Sequence, residues 1–222
     1  MQKCKGLILV ITLLINCSYA NAQRSFAEGY LSYNMVIEDA NAAPQKSNTF
    51  DGATTTIYVQ GNNIRTDVLS SLGKEITIFN SKMNNAVILK EFSGQKLMIT
   101  LTKENWLVKN KMYRDISFEL SNEFKTIGNF NTRKAIAKMP DGKTFEVYYS
   151  PDLVSANKEC DAIFINLPGL AIQYEIESGK YKFKYTLSKI NYDAIQQSLF
   201  DFPTSGYRVM TYDINQKSKK VD

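Results

Sequence analysis

The side chains that could do chemistry are defined first by an absence: the 222 residues contain no histidine. Ser-His and Cys-His nucleophilic sites, imidazole bases and most zinc sites are therefore excluded, since each needs an imidazole that titrates or ligates near neutrality. Three cysteines occur, Cys4, Cys17 and Cys160. Cys160 stands between Glu159 and Asp161, whose charges raise a thiol pKa. It reads as a small, half-buried, inert residue rather than a reactive thiol or an intermolecular bridge. Gly-x-Ser-x-Gly, phosphate-cradling glycine loops and Gly-x-Gly-x-x-Gly are all missing. Glu38-Asp39 and Glu175/Glu177 lack the Asp-x-Asp-x-Asp-Gly pattern of a calcium loop and read as surface charges. No cofactor or metal is implied. A paired-carboxylate hydrolase leaves no local signature and stays open as the weakest reading; the expectation is a protein that is not an enzyme.

Binding chemistry is better represented. Tyr181, Phe183 and Tyr185 alternate with Lys180, Lys182 and Lys184, so the aromatic rings share one face of a strand. With Tyr174 and Tyr149 they either line an apolar cavity or fill a core. Tyrosine suits a wet cavity because its ring is apolar and its hydroxyl can meet water or a head group. Leu167-Pro168-Gly169-Leu170 reads either as a rigid turn anchored by its leucines or as a loop that gates a ligand or docks a partner. The lysine row reads as a solvated, edge-protecting face, with anionic lipid as the alternative.

The elements that position these residues are strands. Period-two alternation recurs along the chain, broken by turn signals: Gly61-Asn62-Asn63 and Asn84-Asn85 between strands, and Asp141-Gly142 as a two-residue hairpin. After Leu187 the apolar parity shifts to Ile190 and Tyr192, which predicts a bulge near Ser188-Lys189. Asn105 to Asn110 around Trp106, and Ala194 to Leu199 after Asp193, are the candidate short helices. About ten strands with so little helix imply a mainly β domain: a curved antiparallel sheet forming a half-barrel or barrel with one or two short helices, or a two-sheet sandwich.

Lys3 and Lys5, the apolar run Gly6 to Ile15 and Ala20-Asn21-Ala22 have the layout of a secretory signal peptide cut between Ala22 and Gln23. The apolar run is too short to span a bilayer. Asn16 before Cys17 disfavours lipidation there. The expected organisation is a signal peptide at 1–22, one β-rich domain at 23–212, and a polar basic tail at 213–222. The mature product is expected in the periplasm or outside the cell, without a transmembrane segment. Loss of Lys3 and Lys5 takes the formal charge from +5 to +3. No clustered basic face suggests nucleic acid. Only Cys160 remains after cleavage, so no intrachain disulfide can form and the fold rests on its core.

Several short segments, in order, resemble bacterial envelope proteins allied to the GLPGLI family. They are Tyr58 to Arg65, Lys125-Thr126-Ile127-Gly128, Thr132 to Ala135, Asp141-Gly142-Lys143 and Val147 to Leu153. Asn166-Leu167-Pro168-Gly169-Leu170-Ala171 is similar to the motif that names the family, with Asn166 for its first Gly and Ala171 for its final Ile. Phe200-Asp201-Phe202-Pro203 with Gly206-Tyr207 resembles the closing segment of a related domain-of-unknown-function group. The resemblance runs from about Tyr30 to Tyr212 and implies a LolA-like half-barrel, with no activity attached. Asn131-Thr132-Arg133 stand where some relatives carry a Cys, so no disulfide carries over. The function expected is an exported envelope protein that binds a hydrophobic or amphipathic, lipid-like ligand without catalysis. The alternative is a structural protein with a filled core that docks an envelope partner.

Overall fold

The computed structural model describes residues 23–39, 52–179 and 181–218. The expected signal peptide as far as Ala22, Cys17, the polar stretch Asn41 to Thr49 that reads as a loop in the sequence, and Lys180 lie outside the described residues. The chain forms β1 (Arg24–Phe26), β2 (Glu28–Asp39), β3 (Ala53–Gln60), β4 (Asn63–Ser70), β5 (Gly73–Asn80), β6 (Asn85–Phe92) and β7 (Gln95–Leu101). Helix α1 (Lys103–Arg114) follows, then β8 (Ser117–Ile127), β9 (Phe130–Lys138), β10 (Thr144–Ser150) and β11 (Leu153–Ser155). A 3-10 segment (Lys158–Phe164) leads to β12 (Leu170–Ser178) and β13 (Tyr181–Asn191). A second 3-10 turn (Gln197–Phe200), β14 (Arg208–Thr211) and α2 (Tyr212–Ser218) end the described chain.

Twelve strands make one sheet in the order β14-β7-β6-β5-β4-β3-β2-β13-β12-β10-β9-β8. The sheet is large, curved and not closed, so the mainly β half-barrel is the form adopted, not a closed barrel or a sandwich. Pairing is antiparallel except for β14, which lies parallel to β7. β1 and β11 form a separate parallel pair. The centre is closed by β2 and β13, whose register slips between Leu187 and Lys189. That is the bulge the parity shift predicts. It lets Leu187 and Ile190 both pack against the same core.

Three local expectations are corrected. Asp141-Gly142 is the centre of a longer connection, because Met139 N donates to Lys143 O and Gly142 N to Met139 O before β10 begins. The short helix expected at Asn105 to Asn110 is longer, twelve residues, and is started by a capping box in which Thr102 accepts from Asn105 N. It takes in Met112 to Arg114, although the alternation from Met112 to Leu120 in the sequence reads as one strand. Asp193 caps no helix; its N–H donates to Asn191 Oδ1, and only Gln197–Phe200 turns. The basic tail is helical through Ser218, with Asp213 accepting from Asn105 Nδ2.

The sheet is covered on both faces. On the concave face, Leu31, Ile57, Val59 and Ile64 meet the 3-10 segment and the residues around Leu167, while Ala86, Ile88, Ile99 and Leu101 meet Trp106 of α1. On the convex face, Ile76, Ile78, Val87 and Leu89 are sealed by Phe200, Ile195 and Leu199. Hydrogen bonds fasten that cover: Gln60 Nε2 donates to Ile195 O, Arg65 to Leu199 O and Asn80 Nδ2 to Phe200 O.

Candidate functional site

The expected aromatic face divides into a filled part and an open part. Tyr149 and Tyr174 are buried. Phe164, delivered by the 3-10 segment, meets Tyr174 edge to face at 4.7 Å, and Tyr174 stacks on Tyr185 at 4.6 Å. Tyr33 adds a hydroxyl that donates to Ala171 O at 2.9 Å. This half of the concavity is packed core.

Beyond Tyr185 the packing thins to a small cluster beside an opening. Phe183 and Tyr185 on β13, Met35 on β2, Val68 on β4 and Phe92 on β6 line a cleft of about 310 Å³, with Glu75 at its side. Register explains the assembly: Met35 pairs with Tyr185, and Val68 with Glu75, so these side chains point into the concavity from strands on either side of β3. Tyr181 is half-buried and packs with Phe183, Met35, Ile37 and Ala53 in the adjoining cluster.

The Leu167 to Leu170 turn lies in the core. Leu167 and Leu170 are buried, Pro168 is exposed, and its carbonyl accepts a bond from Gln23 Nε2. Gly169 passes so close to β10 that a Cβ there would stand 2.2 Å from Ser150 O. Asn166 Nδ2 donates to the carbonyls of Arg114 and Ile116, tying the turn to the end of α1.

Asp161 is the one described carboxylate with a raised pKa. Burial pushes it up to about 7 against a stabilising bond from the Ile163 backbone. Its charge in turn helps raise Tyr33, Tyr113, Tyr174 and Tyr185, each shifted first by its own burial. The adjoining cavity, shared with Cys160 and Phe164, holds about 20 Å³, room for one water rather than a substrate. Burial also pushes the Cys160 thiol up to about 12, and its Sγ donates to Ser155 Oγ at 3.1 Å. A thiol so protonated is a poor nucleophile. No group of three or more potential metal ligands occurs among the described residues. On the convex side of β12 and β13, Glu175 pairs with Lys182 and Lys184, so its carboxylate offsets part of the positive charge of the lysine row.

A second opening, about 310 Å³, runs along α1 at the other end of the strands. Ile64, Phe79, Trp106 and Leu107 form its floor; Asn62, Asn84 and Lys103 stand at its rim. Sequence reasoning missed these residues. The signal was faint: one tryptophan in a Lys- and Asn-rich stretch without apolar periodicity.

No protein-family model matches this chain, and no curated protein does. Among solved structures, PNGF-II in a C2 crystal form is similar at 15% identity and TM-score 0.46, covering 87% of this chain and 32% of that one. The chain thus spans about a third of the length of PNGF-II. MucB is similar at 11% identity and TM-score 0.37, covering 83% of this chain and 60% of that one. LprF from Mycobacterium bovis is similar at 8% identity and TM-score 0.34, covering 76% of this chain and 88% of that one. At these TM-scores the likenesses carry no argument about site or function. No helix among the described residues is long and apolar enough to cross a membrane.

Proposed function

We propose that this chain is an exported, GLPGLI-like envelope protein that binds a hydrophobic or amphipathic, lipid-like ligand in the concavity of its half-barrel and does no chemistry on it. The observation that carries the reading is the cleft of about 310 Å³ walled by Met35, Val68, Phe92, Phe183 and Tyr185. A concave, mostly apolar opening with few polar groups is the form that small-molecule sites take, and this volume lies at the small end of their range. The water-sized space beside Asp161 leaves that carboxylate no room for a substrate.

The test is native mass spectrometry and solvent extraction of the protein purified from its own cell envelope. An apolar adduct near one per chain is expected, and Val68→Phe, which narrows the cleft, should remove most of it at unchanged melting temperature. An adduct-free wild type, or full loading in the folded variant, overturns the proposal. A second reading, partner docking through a sheet edge, is favoured by β8, where Phe124 is 70% exposed on the last strand of the sheet.

A further inference from the structure

The groove along α1 has a different chemistry from the Phe183 cleft. Lys103, Trp106, Leu107, Asn110 and Arg114 recur at helical spacing on one face. Over that distance the helix rises about 16 Å. Trp106 stacks on Phe79 at 5.2 Å and is nearly buried, so the floor is apolar. Most polar groups at the walls are already committed. Ser81 Oγ donates to Asn63 Oδ1, Asn157 Nδ2 donates to Gly61 O, and Arg114 is ion-paired with Glu159. Glu104, beside Lys103, is held below the usual carboxylate range first by its own backbone N–H, then by Thr102, with a smaller contribution from the Lys103 charge.

Three donors stand at the opposite end from that ion pair. Lys103, Asn62 and Asn84 make no side-chain hydrogen bond or ion pair among the described residues. They converge because the β3–β4 turn, the β5–β6 turn and the start of α1 sit at one end of the sheet, where Ile64 pairs with Phe79 and Ala86 with Leu101. Asn84 is fixed there at a positive φ of 55°. On the same helix face, Asn110 is 4% exposed and its Nδ2 has no hydrogen-bond partner. An unmade bond in a buried amide is unusual in a packed interior.

We infer that this groove is a second binding site, for an anionic amphiphile whose carboxylate or phosphate head group is held by Lys103, Asn62 and Asn84 and whose apolar chain lies along Phe79, Trp106 and Leu107. Lysine supplies a charge-assisted bond and the two amides supply further donors, while the sole acid at the walls, Glu159, is neutralised at the far end. The site is independent of the cleft at Phe183 and Tyr185.

Trp106 is the only tryptophan in the sequence, so its emission reports on this groove alone. The full mature chain is titrated with dodecanoate, dodecyl phosphate and neutral dodecanol. One or both anions should change Trp106 emission saturably. Dodecanoate alone assigns a carboxylate head, dodecyl phosphate alone a phosphate head, and both together an unselective anion site. Lys103→Glu should weaken the anions about tenfold and leave dodecanol unaffected. That variant keeps its fold, since an exposed glutamate is favourable in the first turn of a helix. Val68→Phe should leave these titrations unchanged. An unresponsive Trp106, equal anion affinity in Lys103→Glu, or loss of the signal in Val68→Phe overturns the inference, whatever the envelope-purified protein carries in its other cleft.

Discussion

Asp161 shows how one side chain can set the pH response of this protein. It sits at a non-helical kink, φ −135° and ψ 92°, inside the 3-10 segment. Facing it are Tyr33, Tyr174 and Tyr185 from the sheet and Tyr113 from α1, with Cys160 and Lys158 on its own segment. Burial among rings disfavours the carboxylate and favours the acid, so the folded pKa of about 7 lies above the unfolded one. The folded state therefore binds the extra proton. Its stabilisation is fully present below the unfolded pKa of about 3.9 and is lost as pH rises through about 7. Glu91 and Glu175 shift the other way, the first through the Tyr207 hydroxyl and the second through Lys182 and Lys184 against burial. Their effect is confined to more acidic solution. With no histidine in the chain, Asp161 dominates the interval from pH 5 to about 7. Urea denaturation should show stability falling on the order of 2–4 kcal/mol across its window. Asp161→Asn should flatten that slope; a variant with the wild-type slope would remove Asp161 as its origin.

At the scale of elements, the connection from the 3-10 segment through Leu167 to Leu170 acts as a wedge. Phe164 fills the concave aromatic cluster, while Gly169 lets the following backbone lie against β10. A methyl group at Gly169 would collide with a backbone carbonyl that cannot swing away, so β10 or the turn must shift. Gly169→Ala should cost about 1–3 kcal/mol in urea denaturation, whereas exposed Pro168→Ala should cost under about 1. Comparable losses in both would mean that the turn is not held by this close approach. The Leu-Pro-Gly-Leu sequence carried part of this: the anchoring leucines were readable, but proximity to Ser150 was not, because it depends on how β10 and β12 pair. Most long strands with one buried face were legible, and the β13 bulge followed from parity alone, but β1 and β11 were not, because three residues each are too short to show alternation. Helix α1 was not, since only Trp106 and Asn110 along it are buried and no apolar stripe marks its inner face. The groove residues were hidden for the same reason. Asn62, Asn84 and Lys103 gain meaning only when three sheet-end connections meet. One signal was available and unread: Ala86-Val87-Ile88-Leu89 is buried at every position, the mark of a strand covered on both faces.

For the whole molecule, that double burial assigns the C-terminal third-layer segment a structural task. A half-barrel open at both edges exposes an apolar convex face unless something lies over it, and here Ile76, Ile78, Val87 and Leu89 would face water. The covering segment follows β13, which pairs with β2 at the centre of the sheet and joins residues about 150 positions apart. Phe200 is the plug, fully buried against that face, and the carbonyls around it accept bonds from Gln60, Arg65 and Asn80 on β3 to β5. The cover is thus fixed to strands whose other face looks toward both concave openings. Phe200→Ala removes a large ring from a site whose backbone is pinned, so the void cannot readily collapse, and the expected cost is about 3–5 kcal/mol by urea denaturation. Because Phe200 lies on the convex side, the residual folded protein should keep its concave geometry: Trp106 emission in buffer should match the wild type below the unfolding transition. A cost under about 1 kcal/mol would make the segment a loose tail and leave the convex apolar face to be closed by another molecule. A full cost with altered Trp106 emission would instead mean that the two faces are coupled through β5 and β6, so that ligand in the concavity and the C-terminal cover stabilise one another.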